Sequence, residues 1–246
     1  MERALEGIAR SGVKYVGLMR QQGQLPLTAD STPQQIDELS QSIGRNGLRC
    51  LACLHPVEVD LPLGKAIARL KRAIANIAAL EGQVLLTTGC GDPAKYDRYF
   101  EVVSSCTDYA AQKGVMIALK PHGGLSATGK ECREAVERVA SDNFRIWYDP
   151  GNVLWYTGGF PHEDVGTAAE YVVGMCVKDC RTGDNGTVMV TPGEGKVDFA
   201  GLFRVLNEAG FCGPCLVETL SGTTPDEIDA AARKAVAFLR DTLSGV

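Results

Sequence analysis

Apolar runs of strand length recur along the chain and alternate with stretches in which apolar residues return every three or four positions. The runs are VKYVGLM (13–19), LRCLACL (48–54), QVLLTT (83–88), GVMIALK (114–120), FRIWYD (144–149), VGMCVKD (173–179) and PCLVET (214–219). Each is short and nearly continuous in apolar residues, the pattern of a strand buried on both faces. Helical periodicity covers 33–45, 63–80, 94–113, 130–140, 200–209 and 225–242. Two starts are well marked. Thr32-Pro33 and Thr224-Pro225 put a capping hydroxyl before a proline in the first turn. Gln35 and Glu227, three residues after those threonines, complete capping boxes. Gly12, Gly47, Gly114 and Gly210 each close a helical stretch before a strand, where a left-handed cap is needed.

Continuous strand–helix alternation predicts a parallel sheet with helices outside it. With seven strands visible and a helical pattern at the very start (ALEGIAR), the expected fold is a (β/α)8-type TIM barrel that lacks its first strand. Either a strand lies upstream of this start, or the barrel is open or closed by another segment. An open doubly wound sheet is the alternative. It usually carries a glycine-rich phosphate turn after its first strand, and GLMRQQGQ fits that poorly. No linker or composition shift interrupts the rhythm, so 1–246 reads as a single domain.

Composition narrows the function classes. The net charge of −5 disfavours a phosphate-backbone binder, which needs a basic face. No apolar run approaches the ~20 residues that span a bilayer, and the N-terminus has no signal-peptide apolar core. Nine cysteines are scattered, odd in number and without such a signal, which favours reduced thiols in the cytoplasm. CLAC and CGPC have metal or redox spacing, but CGPC enters a strand from a helix, whereas a thioredoxin-type motif opens a helix. Small buried apolar cysteines are the plainer reading.

Chemistry collects where strands end. Residues two apart share a face, so Lys120 and His122 point the same way, as do Trp147 and Asp149, Cys176 and Lys178, and Leu216 and Glu218. One charged residue at a strand end is commonly a helix cap or a solvated rim. Four in register after four successive strands point to a site at the C-terminal mouth.

From GVMIALKPHGG through WYDPGNVLWYTGG and CVKDC to TPGEGKVDFAGLFRVLNEAGFCGPCLVETL, the chain resembles the sugar isomerase/epimerase superfamily, the xylose isomerase-like TIM barrels. The resemblance spans nearly the whole sequence, and its ending, KD…GEGKVDF…GF.GP..VE, is the most specific part. It implies a small polyol or keto sugar bound at the mouth. It also implies one divalent metal held by a Glu, an Asp, a His and a Glu from the last four strands, the two glutamates moving a proton beside a carbonyl. Asp149 and Glu218 match the Asp and the final Glu, and Asn152 stands where many members carry a histidine. Lys120 stands where the first Glu is expected, Cys176 where the His is expected, and Gly17 where a strand-end glutamate is common.

Two arrangements of the site follow. In one, His122, Asp149 and Glu218 hold a divalent metal: zinc if Cys176 adds a thiolate, manganese or magnesium less tightly otherwise. Lys120 is then the base or a hydrogen-bond donor to substrate. In the other there is no metal. Lys120 and Lys178 balance Asp149 and Glu218, an ammonium polarises the carbonyl, and Glu218 moves the proton. A Schiff base on Lys120 is a third option. In both main forms Lys120 and Glu218 are the catalytic pair, and His122, Asn152, Trp155, Lys178 and Glu194 contact substrate. Trp155 and Tyr156 either stack on a sugar or cover the rim, His55 is site or rim, and His162 is exposed. Glu194 lies in the glycine-rich stretch RTGDNGTVMVTPGEGK, expected to be a lid loop.

A sugar isomerase or epimerase, or a related lyase on a keto sugar, is the expected enzyme. A barrel that binds a sugar without catalysis is the non-enzyme alternative. A multi-zinc DNA-repair nuclease shares the fold, but three histidines and an acidic balance disfavour it. The expected partner is a small-molecule sugar, with no nucleic acid and no membrane. A homo-oligomer is compatible with the sequence.

Overall fold

The structure, a computed structural model, describes residues 1–20, 23–183 and 186–245. Helix α1 (Glu2–Arg10) precedes β1 (Tyr15–Leu18), followed by α2 (Pro33–Arg45), β2 (Arg49–Leu54), α3 (Leu63–Ala79) and β3 (Val84–Thr87). The chain continues through α4 (Tyr96–Ser104), α5 (Thr107–Gln112), β4 (Met116–Leu119), α6 (Gly129–Val139), β5 (Phe144–Tyr148), α7 (Pro150–Thr157) and α8 (Pro161–Asp164). It ends with β6 (Val172–Val177), β7 (Asp179–Gly183), β8 (Gly186–Val190), α9 (Phe199–Glu208), β9 (Cys215–Val217) and α10 (Pro225–Ser244). Seven strands form one parallel sheet in the order β1-β2-β3-β4-β5-β6-β9, while β7 and β8 pair with each other as an antiparallel hairpin.

Both expected capping boxes form, at Thr32/Gln35 and Thr224/Glu227, and Thr128/Glu131 makes a third. Two expectations change. The helical stretch 94–113 is broken after Ser104 into α4 and α5. The expected lid loop is partly strand, because β7 leaves the barrel directly after β6 and folds back as β8; its residues 184 and 185 lie outside the described residues.

Two apolar layers hold the sheet. One lies between the strands and the helices. The other fills the interior with Val84, Leu86, Ala118, Trp147, Cys176 and Leu216, the alternate positions that strand parity requires. Trp147 is fully buried there. Gly174 on β6 makes room for it, since a Cβ at 174 would overlap the six-membered ring. Trp147 thus floors the mouth from below.

The sheet is nearly closed and one strand short of eight. Strand β1 pairs with β2 and β9 with β6, with no ladder between β1 and β9. Side chains bridge this seam. Leu216 lies over Gly17, where a Cβ would stand 2.7 Å from its Cδ1. Beside it remains a cavity of about 480 Å³, lined largely by apolar groups such as Ile8, Val16, Met19, Leu216 and Leu239, and touching Glu218. A polyol needs many hydrogen-bonding partners, so this space is a packing gap of the short barrel rather than a sugar pocket.

Candidate active site

Four strand ends deliver the site. Lys120 follows β4 and continues its ladder, donating its N–H to the Thr87 carbonyl at 2.8 Å. Asp149 follows β5 and caps α7, accepting from the Asn152 N–H at 2.9 Å. Lys178 sits between β6 and β7, its stem against Gly151, where a Cβ would stand 2.7 Å from Lys178 Cγ. Glu218 follows β9 and donates its N–H to the Val177 carbonyl at 3.1 Å. Lys120, Asp149 and Lys178 are 3%, 0% and 8% exposed, so these charges are held by one another rather than by water.

Lys120 is the hub. Its Nζ lies 2.9 Å from Asp149 Oδ2, 2.7 Å from Glu218 Oε2 and 3.6 Å from Cys176 Sγ. Lys178 Nζ lies 2.9 Å from Glu218 Oε1 and 3.9 Å from Asp149 Oδ2. The Cys176 thiol donates to Glu218 Oε2 at 3.2 Å. Two ammoniums therefore face two carboxylates, with Glu218 alone partly open to solvent.

Burial alone would push the Lys120 pKa down. Asp149, Cys176 and Glu218 outweigh it and hold the ammonium well above its usual range. Burial likewise pushes Glu218 up, but Lys120 and Lys178 hold its carboxyl at about 2. Burial raises the Cys176 thiol well above its ordinary value despite the opposing pull of Lys120, so it stays protonated at neutral pH. Burial, then Lys120 and Lys178, keep the His122 pKa below its ordinary value and the ring neutral.

The Glu218 shift has a pH signature. Its carboxyl falls from an ordinary 4.5 to about 2 on folding, so its contribution is present in full above pH 4.5 and fades as pH falls toward 2. The shift corresponds to roughly 3 kcal/mol. Urea midpoints measured from pH 7 to pH 2 should drop across that window in wild type. Glu218→Gln should flatten the acid limb, and an unchanged limb in that variant counts against the assignment.

The other expected site residues are distributed unevenly. His122 is not in the cluster. The three donors that converge within 4.8 Å are those of Asp149, Cys176 and Glu218, so the expected ligand set of His122, Asp149 and Glu218 does not assemble. The reason is that β4 ends at Leu119 and the chain turns, with the His122 N–H on the Ser126 carbonyl at 2.9 Å and Gly123 and Gly124 at positive φ. Strand parity does not extend to residue 122. The His122 ring instead meets Tyr156, whose hydroxyl is 3.3 Å from Nδ1. Asn152 is buried and donates to the Pro121 carbonyl at 2.7 Å, tying α7 to the segment after β4 rather than facing a substrate. Trp155 is 41% exposed on α7. Glu194 pairs with Lys234 of α10 at 2.6 Å. His55 is buried, with Nδ1 2.8 Å from the Pro56 carbonyl, beside a polar hollow shared with Arg20, Asp30, Glu58 and Arg69. His162 sits in α8, 3.9 Å from Glu163.

One important residue lay unselected inside the motif CVKDC. Asp179 is 1% exposed and accepts four backbone N–H groups: Gly193 and Gly195 on Oδ2 at 3.0 and 2.8 Å, and Cys180 and Val197 on Oδ1 at 2.9 and 3.0 Å. It staples the glycine-rich segment onto the end of β6. A buried aspartate followed by a glycine-rich run is the signal that could have found it.

A family model described as xylose isomerase-like TIM barrel matches residues 5–242. The chain belongs to this family. Among curated relatives, L-ribulose-5-phosphate 3-epimerase UlaE of Escherichia coli is 32% identical over 90 residues, 37% of this chain and 31% of that protein. The match therefore spans under a third of the relative's length. Among solved structures, D-psicose 3-epimerase in the presence of D-fructose has a TM-score of 0.77 at 15% identity, covering 98% of this chain and 93% of that one. A xylose isomerase-like TIM barrel protein from Mycobacterium smegmatis in complex with magnesium has a TM-score of 0.79 at 17% identity, covering 98% and 89%. L-ribulose 3-epimerase has a TM-score of 0.76 at 18% identity, covering 99% and 89%. At these identities the structural likeness concerns the fold, and the curated relatives are carbohydrate epimerases.

The xylose isomerase-like fold raises the question of a metal. Asp149, Cys176 and Glu218 form a plausible donor set by spacing. However, Lys120 Nζ lies within reach of all three donors. A dication among them would stand about 3 Å from an ammonium, a repulsion of order 10 kcal/mol at an effective dielectric of about 20. As arranged here, the site does not fit a divalent ion. No described helix is long and apolar enough to cross a membrane.

Proposed function

We propose that the chain, as one domain over 1–246, is a carbohydrate epimerase or isomerase that moves a proton on the carbon beside the carbonyl of a small keto sugar. The observation that carries this reading is the neutral Lys120–Asp149–Lys178–Glu218 cluster at the C-terminal mouth of a xylose isomerase-like barrel. Asp149 Oδ2 is buried and, despite its 2.9 Å charge contact with Lys120, accepts no well-aligned hydrogen bond. A substrate hydroxyl that displaces part of the Lys120 contact would supply that hydrogen bond. Glu218 is the most exposed member, its side chain 23% accessible, and it is ionised at neutral pH.

In this reading the Lys120 and Lys178 ammoniums donate to the carbonyl oxygen and stabilise the negative charge that develops there. As they turn toward that oxygen, Glu218 loses part of its pairing. Its basicity then rises, and it accepts the carbon-bound proton. In an isomerisation Glu218 returns that proton to the neighbouring carbon, and in an epimerisation water protonates the opposite face; neutral His122, beside Tyr156, offers a ring nitrogen to a substrate hydroxyl. Trp155 adds an exposed ring at the rim on which a sugar stacks.

Incubation with ketopentoses and ketohexoses, with and without a 5-phosphate, in deuterated water tests the proposal. Deuterium should enter the carbon next to the carbonyl, seen by proton NMR, together with the epimer or aldose. No incorporation into any of these sugars, with retained binding of one, would instead favour the sugar-binding barrel.

A further inference from the structure

We infer that the ammonium of Lys120 occupies the place of a divalent cation, so that this chain works without a resident metal. The inference rests on the functional reading above only for what the site is used for. Its physical basis is separate.

The first observation is positional. Three donor atoms of the kind that bind transition metals converge within 4.8 Å, from Asp149, Cys176 and Glu218. The group among them is Lys120 Nζ, at 2.9, 3.6 and 2.7 Å. Its ammonium donates to Glu218 Oε2 and Cys176 Sγ and meets Asp149 Oδ2 as a charge contact. The lysine thus meets, as one positive charge, the same three groups that would surround an ion.

The second observation is charge. With Lys120 and Lys178 against Asp149 and Glu218, the buried cluster sums to zero, and Cys176 is present as a neutral thiol that donates to Glu218. A carboxylate at position 120 would leave three acids against one lysine. The lysine changes that sum by two units, the charge of one divalent ion. Adding such an ion to the present set would create an excess of two positive charges around Asp149 and Lys120, which are 0% and 3% exposed.

The third observation is packing. Lys120 follows β4 two residues after fully buried Ala118, is itself 3% exposed, and has its Nζ 3.6 Å from fully buried Cys176. Gly151 leaves room for the stem of Lys178, since a Cβ there would stand 2.7 Å from Lys178 Cγ. The Lys120 ammonium thus sits below the surface among the groups that would line a cation site.

The test is metal binding itself, read independently of any sugar. Wild-type protein, purified from medium supplemented with zinc and manganese and dialysed, should carry no stoichiometric divalent ion by elemental analysis. Its melting temperature should not change when Zn²⁺, Mn²⁺ or EDTA is added. Lys120→Ala frees the donor set, so the same titration with Zn²⁺ should raise its melting temperature, with about one ion bound per chain. Lys120→Gln provides a second variant of similar volume, should alanine fail to yield folded protein. About one divalent ion on the wild type, or a melting temperature raised by Zn²⁺ or Mn²⁺, overturns the inference. So does a folded Lys120 variant that binds no ion. An absence of sugar turnover with these binding results intact would sink the functional reading and leave the cation assignment standing.

Discussion

Asp149→Ala is expected to destabilise the protein by about 3–5 kcal/mol, the cost of removing one partner from a buried ion network. The carboxylate is fully buried and has two tasks. Oδ1 caps α7 through the Asn152 N–H, and Oδ2 faces Lys120 at 2.9 Å and Lys178 at 3.9 Å. Alanine leaves two buried ammoniums sharing Glu218. For a chain of this length the melting temperature should fall by roughly 10 °C. Asp149→Asn keeps an acceptor for the cap but removes the same charge, so it should recover only the cap's share, about 1 kcal/mol. The decisive comparison is the double variant Asp149→Ala/Lys120→Met. Replacing both members by apolar groups removes the unpaired charge, so the double variant should be more stable than the sum of the single effects predicts. Strict additivity in chemical denaturation would mean that Lys120 and Asp149 are not paired in solution.

Those two residues were legible in the sequence because strand parity is a strong constraint. Trp147 and Asp149, Cys176 and Lys178, and Leu216 and Glu218 fall on one face by counting alone, and all of them line the interior or its mouth. The seven strands and the missing eighth were visible for the same reason, since buried parallel strands are continuous apolar runs. Counting failed where the strand had already ended. His122 obeys parity in the sequence, but β4 stops at Leu119 and the turn at Gly123 and Gly124 redirects it. Glu194 was placed by motif and not by geometry, and its partner Lys234 lies 40 residues further on, where no local pattern could announce it. The site's central fact was present only as two open alternatives. A lysine at position 120 is equally compatible with a base beside a metal and with a cation in the metal's stead, until the distances to Asp149, Cys176 and Glu218 are known.

Asp179→Asn should be nearly as damaging as Asp179→Ala, at about 3 kcal/mol or more. Asparagine ordinarily replaces an aspartate oxygen that accepts a backbone hydrogen bond, as it does for the cap at position 149. At 179 both oxygens are acceptors twice over: Gly193 and Gly195 donate to Oδ2, and Val197 and Cys180 to Oδ1. An amide has one oxygen. Whichever way it is turned, its NH2 group confronts two N–H donors, and each buried donor left unpaired costs about 1–3 kcal/mol. The damage should be local as well as global. The segment held by Asp179 is joined at Thr191 to Ser221 by two reciprocal hydrogen bonds of 3.0 Å, three residues past Glu218. Releasing it loosens the wall beside that carboxylate. Hydrogen exchange at the amides of Gly193, Gly195 and Val197 should accelerate in both variants, and turnover should fall further than the loss of folded protein accounts for. A denaturant midpoint for Asp179→Asn close to that of wild type would show that the carboxylate charge and its second acceptor oxygen are dispensable, and that the staple is not what holds this side of the mouth.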